Sequence, residues 1–342
     1  MYFLLTWAAA APVSAASGED IFDAARWSGG LWLAAALIVL LALLRQLRID
    51  PWLSAGLAAL IIASPVVFWS NSYVSTDAPA LLAGSVMAYI ALRLSRRELS
   101  GWWLSLAAPL VVLAKVQFIM GVAFAALFVL AVVWRERKGS GLRATSRGVV
   151  QDARARHAAI ALAIAVVAQV VWLGVRAMVS IGSGADHGLG GSPGPGQVLA
   201  EAVKFLGGAA TSGGSLGNVR DAAGVLLMWI CVSGVIGVML AGRQHWPGGR
   251  EAFDASRADV EARVWSASVL VVAIVSAPLL SLAMGVIAGQ AVVLPARYGL
   301  VLVPIFVACF AMLVPYRKVY GKVAAVAGGG AVLAAILLDY TA

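Results

Sequence analysis

The chain has 342 residues, 62% hydrophobic and 12% charged, with a formal net charge of +9. Soluble domains are about 45–50% apolar and about 25% charged, so a soluble globular protein is excluded and a polytopic integral membrane protein, all-α, is expected. Cys231 and Cys309 sit inside apolar runs, and His157, His187 and His245 stand singly in polar breaks. Neither a disulfide framework nor a metal site has the spacing it needs, so no cofactor is indicated and nothing points to a divalent metal.

A hydrocarbon core of about 30 Å takes roughly 20 apolar residues per helix. Ten apolar runs predict spans at 27–44, 52–69, 78–94, 102–114, 116–134, 158–175, 222–241, 264–290, 298–315 and 322–338, a helical bundle forming a single transmembrane domain over 1–342. Trp27, Trp52, Trp69, Trp102, Trp134 and Trp265 fall at run ends, where an indole suits the headgroup level.

The breaks alternate in charge. Of the 25 Lys and Arg residues, 19 follow odd-numbered spans; Arg26, Lys115, Arg176, Lys204, Arg220 and Arg297 are left for the opposite face. The positive-inside rule then puts 45–51, 95–101, 135–157, 242–263 and 316–321 in the cytoplasm, and the basic charge reflects topology rather than a nucleic-acid partner. This orientation makes 1–26 an external juxtamembrane segment and predicts a further helix upstream of Met1. A signal peptide cleaved near Val13-Ser14-Ala15 competes with that account but lacks an n-region Lys or Arg; an amphipathic segment on the outer leaflet is compatible with it.

Ionisable groups on the outer face are few and expensive at membrane depth, so they are the candidate functional residues. The first cluster is the loop Trp69-Ser70-Asn71-Ser72-Tyr73-Val74-Ser75-Thr76-Asp77-Ala78-Pro79, where Asp77 could take a proton from a hydroxyl or simply cap the next helix. Next comes Lys115. The run before it, 102–114, is about 20 Å of helix, too short to cross unaided, so Lys115 is delivered below the outer surface, beside Val116-Gln117-Phe118. There it faces a polar cavity or an anion, or else snorkels.

The overlong run 264–294, with Pro278, Gly285, Gly289 and Gln290, predicts an outer portion that breaks or projects into an external vestibule, with Leu294-Pro295-Ala296-Arg297-Tyr298 at its mouth. Arg297 suits phosphate through its planar donor fork and suits an interfacial anchor equally well. Finally, 176–221 is a long external Gly-rich loop with an amphipathic helix expected at 197–206. Its glycines follow no strand, so no phosphate loop is implied, and lid and linker readings both stand.

Four stretches in this order, "MYFLLTW…GEDIFDAARWSGGLW", "SNSYVSTDAPALLAGSVMAYIALRL", "LAAPLVVLAKVQFIMGVAFAAL" and "LPARYGLVLVPIF", resemble the GT-C membrane glycosyltransferases. The similarity is greatest to bacterial members related to the protein O-mannosyltransferases of glycosyltransferase family 39. It runs over nearly the whole chain, through short and mostly apolar pieces. It implies a GT-C-like bundle in the bacterial plasma membrane that takes a sugar from a polyprenyl-phosphate donor to an external acceptor, with membrane lipids as its other partners.

Carried over by motif, Asp77 resembles the acidic position of the second external loop, a catalytic carboxylate. Lys115 resembles the lysine at the short-helix junction and Arg297-Tyr298 the Arg-Tyr before a late helix, all three binding donor phosphate. Arg26, Tyr73, Ser75, Thr76, Gln117 and Arg220 would line an external groove. The family's first helix and the acidic motif of its first external loop have no counterpart here, and Met1-Tyr2-Phe3-Leu4-Leu5 looks like the stretch that follows that motif. The competing class is a transporter or lipid flippase, against which stands the lack of an internal repeat; a nonenzymatic scaffold is the third.

Overall fold

The computed structural model describes residues 2–138, 142–179, 194–206, 219–241, 252–288, 294–314, 322–324, 326–330 and 334. Regular structure among the described residues is helical throughout: α1 (Tyr2–Ser17), α2 (Ile21–Gln46), α3 (Pro51–Ala63), α4 (Pro65–Ser72), α5 (Ala80–Ser95), α6 (Trp102–Ala114), a 3₁₀ turn (Val116–Phe118), α7 (Ile119–Arg137), α8 (Leu142–Gln151), α9 (Ala153–Val179), α10 (Pro195–Glu201), α11 (Val219–Ala241), α12 (Ala252–Ala288), a 3₁₀ helix (Ala296–Leu302) and α13 (Val303–Leu313). Six of these segments are long and apolar enough to cross a bilayer, or seven when the bent pair α3–α4 is taken as one span. The chain is a helical integral membrane protein.

The count is lower than the ten apolar runs, for physical reasons that differ from run to run. The runs at 78–94 and 102–114 form helices of 16 and 13 residues, about 24 and 20 Å long, short of the hydrocarbon thickness. The run at 52–69 is two helices bent by 66°. The break falls at Ser64, because the ring of Pro65 drives the preceding residue out of the α region, here to φ −63° and ψ 133°. The run at 322–338 is described only at 322–324, 326–330 and 334, in helical pieces.

Two boundaries also move. Residues 1–26 contain a 16-residue apolar helix and the start of α2, which begins at Ile21 because the Asp20 carboxylate accepts the Phe22 N–H at 2.8 Å. In the eighth run α12 continues through Pro278 to Ala288, and 289–293, where the outer portion is expected to break or project, lie outside the described residues. A proline forfeits one backbone bond, which membrane helices tolerate when their neighbours repair it. Of the external loop, α10 is described and the Gly-rich stretch 180–193 lies outside the described residues.

Helices α5, α7 and α13 form the centre, with α2, α6, α9, α11 and α12 around them. Of these segments Ala296–Leu313 is the most enclosed, 72% of its apolar window being buried, whereas α9, with 22%, leaves most of its surface uncovered by the rest of the chain. Trp265 of α12 locks the centre: its ring meets Phe124 and Phe128 edge-on, and its indole N–H donates to the Ile305 carbonyl at 3.1 Å.

Candidate functional site

The site begins with two backbone breaks. After α4 the chain makes a tight turn through Ser75-Thr76-Asp77-Ala78-Pro79, in which the Ser75 hydroxyl accepts the Asp77 N–H at 3.2 Å and the Asp77 carbonyl accepts from Ala80 at 2.9 Å. The cap position of α5 is Pro79, with no side-chain cap bond, so the Asp77 carboxylate is not spent on the helix end. At the second break Lys115 is extended, at φ −160° and ψ 135°, between α6 and the 3₁₀ turn, and its stem leaves the helix axis there.

A close backbone approach brings in the third part. A Cβ on Gly84 of α5 would stand 1.9 Å from the Val301 carbonyl oxygen, and one on Gly121 of α7 would stand 3.2 Å from the Val301 side chain. Only glycine at 84 lets the 3₁₀ helix Ala296–Leu302 settle onto α5, about two turns from Asp77. That docking sets where Arg297 and Tyr298 reach.

The side chains then converge. Asp77 Oδ1 accepts from Lys115 Nζ in a short ion pair, and Asp77 Oδ2 lies 3.2 Å from Arg297 Nε. The Lys115 ammonium stands 4.6 Å from the centroid of the Tyr298 ring, a cation–π contact. Asp77 and Lys115 are nearly enclosed, with side chains 6% and 13% exposed, while Arg297 is 57% exposed. One carboxylate thus serves two cations, and the cluster keeps a surplus positive charge where the dielectric is low and the charge acts strongly.

The remaining expected residues are distributed around this cluster. Ser75 shapes the Asp77 turn, and Thr76 is half-buried within it. Tyr73 lies on Trp69 instead, with stacked rings 5.3 Å apart. Gln117 stands in the 3₁₀ turn after Lys115, and its carbonyl oxygen is buried without a partner among the described residues. Arg26 is elsewhere: it pairs with Asp23 at 3.1 Å and borders a hollow with Glu19, Asp20 and Trp27. Of Arg220 only the backbone, at the start of α11, is described.

The sequence reading passed over one residue. Tyr2 is buried at 2% exposure, its hydroxyl close to Thr6, the Ser75 backbone and Asp77 but without a hydrogen bond of regular geometry. The signal was present as Tyr2, Thr6 and Ala10 at intervals of four, the buried stripe of α1. No three of His, Cys, Asp and Glu come together as a metal site among the described residues. The arrangement can hold an anion between Lys115 and Arg297, with an acid–base group beside it. No protein-family model, no curated protein and no solved structure matches the chain.

Proposed function

We propose that the chain is a glycosyltransferase of the GT-C type in a bacterial plasma membrane, transferring a sugar from a polyprenyl-phosphate donor to an acceptor at the outer face. The observation that carries this reading is the cation surplus around Asp77: a nearly enclosed lysine and a half-open arginine share one carboxylate. A phosphodiester donor supplies the missing negative charge. Lys115 and Arg297 turn to its oxygens, and the Asp77 carboxylate, released from part of its pairing, accepts the proton of the acceptor hydroxyl. The hydroxyl oxygen bonds to the anomeric carbon as the bond from that carbon to the phosphate oxygen breaks, and the charge gathering on the leaving polyprenyl phosphate lies against the two cations. Tyr298 holds the Lys115 ammonium in place. The ten-span topology belongs to this proposal, with α5 and α6 as crossings completed by the irregular segments at their outer ends.

Replacing Arg297 tests it in membranes containing the full chain and a polyprenyl-phosphate sugar. Arg297→Ala removes charge and donor fork and is expected to raise the barrier by about 2–4 kcal/mol, with Arg297→Lys intermediate. Protein abundance should stay near wild type, because the side chain is largely exposed. Transfer by the Ala variant at the wild-type rate removes Arg297 from the site.

One observation favours a second reading, a transporter. The α3–α4 pair is a broken helix of the kind that surrounds substrates at membrane depth. Substrate uptake into vesicles that persists without any sugar transfer would select it.

A further inference from the structure

The opposite, basic end of the bundle holds a second hollow, of about 470 Å³, lined by Arg97, Ser100, Gly101, Arg137, Asp152 and His157. Its guanidinium groups are presented to the outside: the Arg97 and Arg137 side chains are 66% and 46% exposed. The carboxylate beside them is already committed, since Asp152 meets Arg154 at 2.9 Å and Arg137 at 3.4 Å. Arg97 reaches Glu136 only at 3.8 Å, and Glu136 itself lies 2.5 Å from Arg154. Arg97 and Arg137 are therefore left weakly neutralised.

The hollow opens onto a surface made for acyl chains. A Cβ on Gly101 would stand 2.3 Å from the His157 ring, so glycine lets α9 close against the start of α6, and Trp102 meets His157 edge-on at 5.1 Å. From there Trp102, Leu106 and Leu110 form an exposed stripe at intervals of four on α6, beside the exposed Ile160, Ile164, Val167 and Val171 of α9. Trp103, also exposed, extends the aromatic rim at headgroup level.

Arg97 occupies an unusual backbone position as well. Its φ is +62°, the left-handed residue of a Schellman end in which the Glu98 N–H donates to the Arg93 carbonyl at 2.9 Å. Glycine is the residue best suited to that position, yet an arginine stands there, facing the hollow.

We propose that this hollow binds the phosphate headgroup of an anionic phospholipid, with Arg97 and Arg137 on the phosphate and the acyl chains along α6 and α9. Charge selects the anionic headgroup over a zwitterionic one, and the apolar stripes select a lipid over free phosphate. The inference is independent of sugar transfer.

The test is thermal unfolding of the purified full chain in dodecyl maltoside, followed by tryptophan fluorescence while phosphatidylglycerol, phosphatidylcholine or inorganic phosphate is added. Phosphatidylglycerol is expected to raise the transition temperature saturably and the other two to leave it unchanged. Each arginine removed should weaken the response about fivefold, the usual share of one cation at an anionic lipid surface. Arg97→Gly is the decisive variant, because it relieves the left-handed strain: the unliganded protein should be at least as stable as wild type while its response to phosphatidylglycerol falls. Arg48→Gly, which relieves the same strain at φ +56° on the end of α2, should keep the full response. A phosphatidylcholine or inorganic phosphate shift equal to that of phosphatidylglycerol would overturn the proposal, as would an unaltered response in Arg97→Gly.

Discussion

Two charge clusters sit at opposite ends of this bundle and solve the problem of a buried ion differently. At the basic end Arg154, 7% exposed, is saturated: its Nε and Nη2 bond both oxygens of Asp152 at 3.0 and 2.9 Å, Nη2 also reaches Glu136 at 2.5 Å, and Nη1 donates to the Ser95 carbonyl at 2.8 Å. Nearby, Arg96 is held by Glu261 at 2.8 Å and by the Gln46 carbonyl at 3.0 Å. These contacts join the ends of α2, α5, α7, α9 and α12. At the Asp77 end Lys115 and Arg297 have one carboxylate between them, and Arg297 is more than half exposed. The saturated Arg154 has nothing left to offer a ligand and serves to hold helices together, while Arg97 and Arg137 at the rim of that cluster keep their exposed guanidinium groups. In the undersatisfied one the pairing of Asp77 with the exposed Arg297 is the weak fastening, since a pair open to solvent contributes at most about 1 kcal/mol, and a ligand can displace it.

Removing Arg154 should break the contrast most severely. Arg154→Ala leaves Asp152 with the longer ion pair to the half-exposed Arg137 and removes the guanidinium donor of the Ser95 carbonyl, and loss of a buried partner of this kind costs about 3–5 kcal/mol, to be read as an earlier unfolding transition in detergent. Transfer activity per folded molecule should not change. An unaltered transition would show that the basic end does not hold the helices.

The same kind of change at the Asp77 end should have the reverse signature. Lys115→Met fills similar volume and leaves the enclosed Asp77 carboxylate its pairing with Arg297, so stability should fall by less than for Arg154→Ala, about 1–2 kcal/mol. On the proposed function, the barrier to sugar transfer should rise by about 2–4 kcal/mol, measured as turnover in membranes at saturating acceptor. If the variant unfolds early and transfers normally, the Asp77 cluster is a fastening too.

Acid titration sharpens the comparison with a smaller effect. The Arg154 guanidinium, hydrogen-bonded to Asp152, holds that carboxyl down to about 2. An unfolded Asp titrates near 3.9, so the folded state binds its proton later than the unfolded state. The resulting stability is fully present above about pH 4 and is lost as pH falls from about 4 to 2, roughly 2 kcal/mol in all. Asp152→Asn should remove this step from a plot of unfolding free energy against pH. A step of wild-type size in the Asn variant would place the depressed carboxyl elsewhere.

How much could be read in advance differs between fold and site. The apolar runs at 27–44, 116–134, 158–175, 222–241 and 298–315 each correspond to a long helical segment, because burial in lipid needs only a sufficient stretch of apolar side chains, a local property. Asp77, Lys115 and Arg297 were recognisable as sparse ions at the ends of apolar runs. Their meaning was not: Asp77 next to Pro79 looks like a helix cap, and only the position of Lys115 beyond α6 shows that the carboxylate is used elsewhere. Tyr2 escaped notice because a phenol on an apolar helix is ordinary until a carboxylate packs near it.

The sequence alone therefore determined the membrane-embedded helical class, the uneven distribution of cations and the chemical types present at the outer ends, since each follows from composition and short-range spacing. The tertiary structure decided which of those ions meet. Asp77 and Arg297 are separated by most of the chain, and they come together because glycine at 84 lets the backbone of residue 301 lie directly against α5. That contact depends on two distant surfaces fitting within ångströms of one another. No periodicity or charge count along the chain encodes it, because packing is a property of pairs of surfaces rather than of either segment alone.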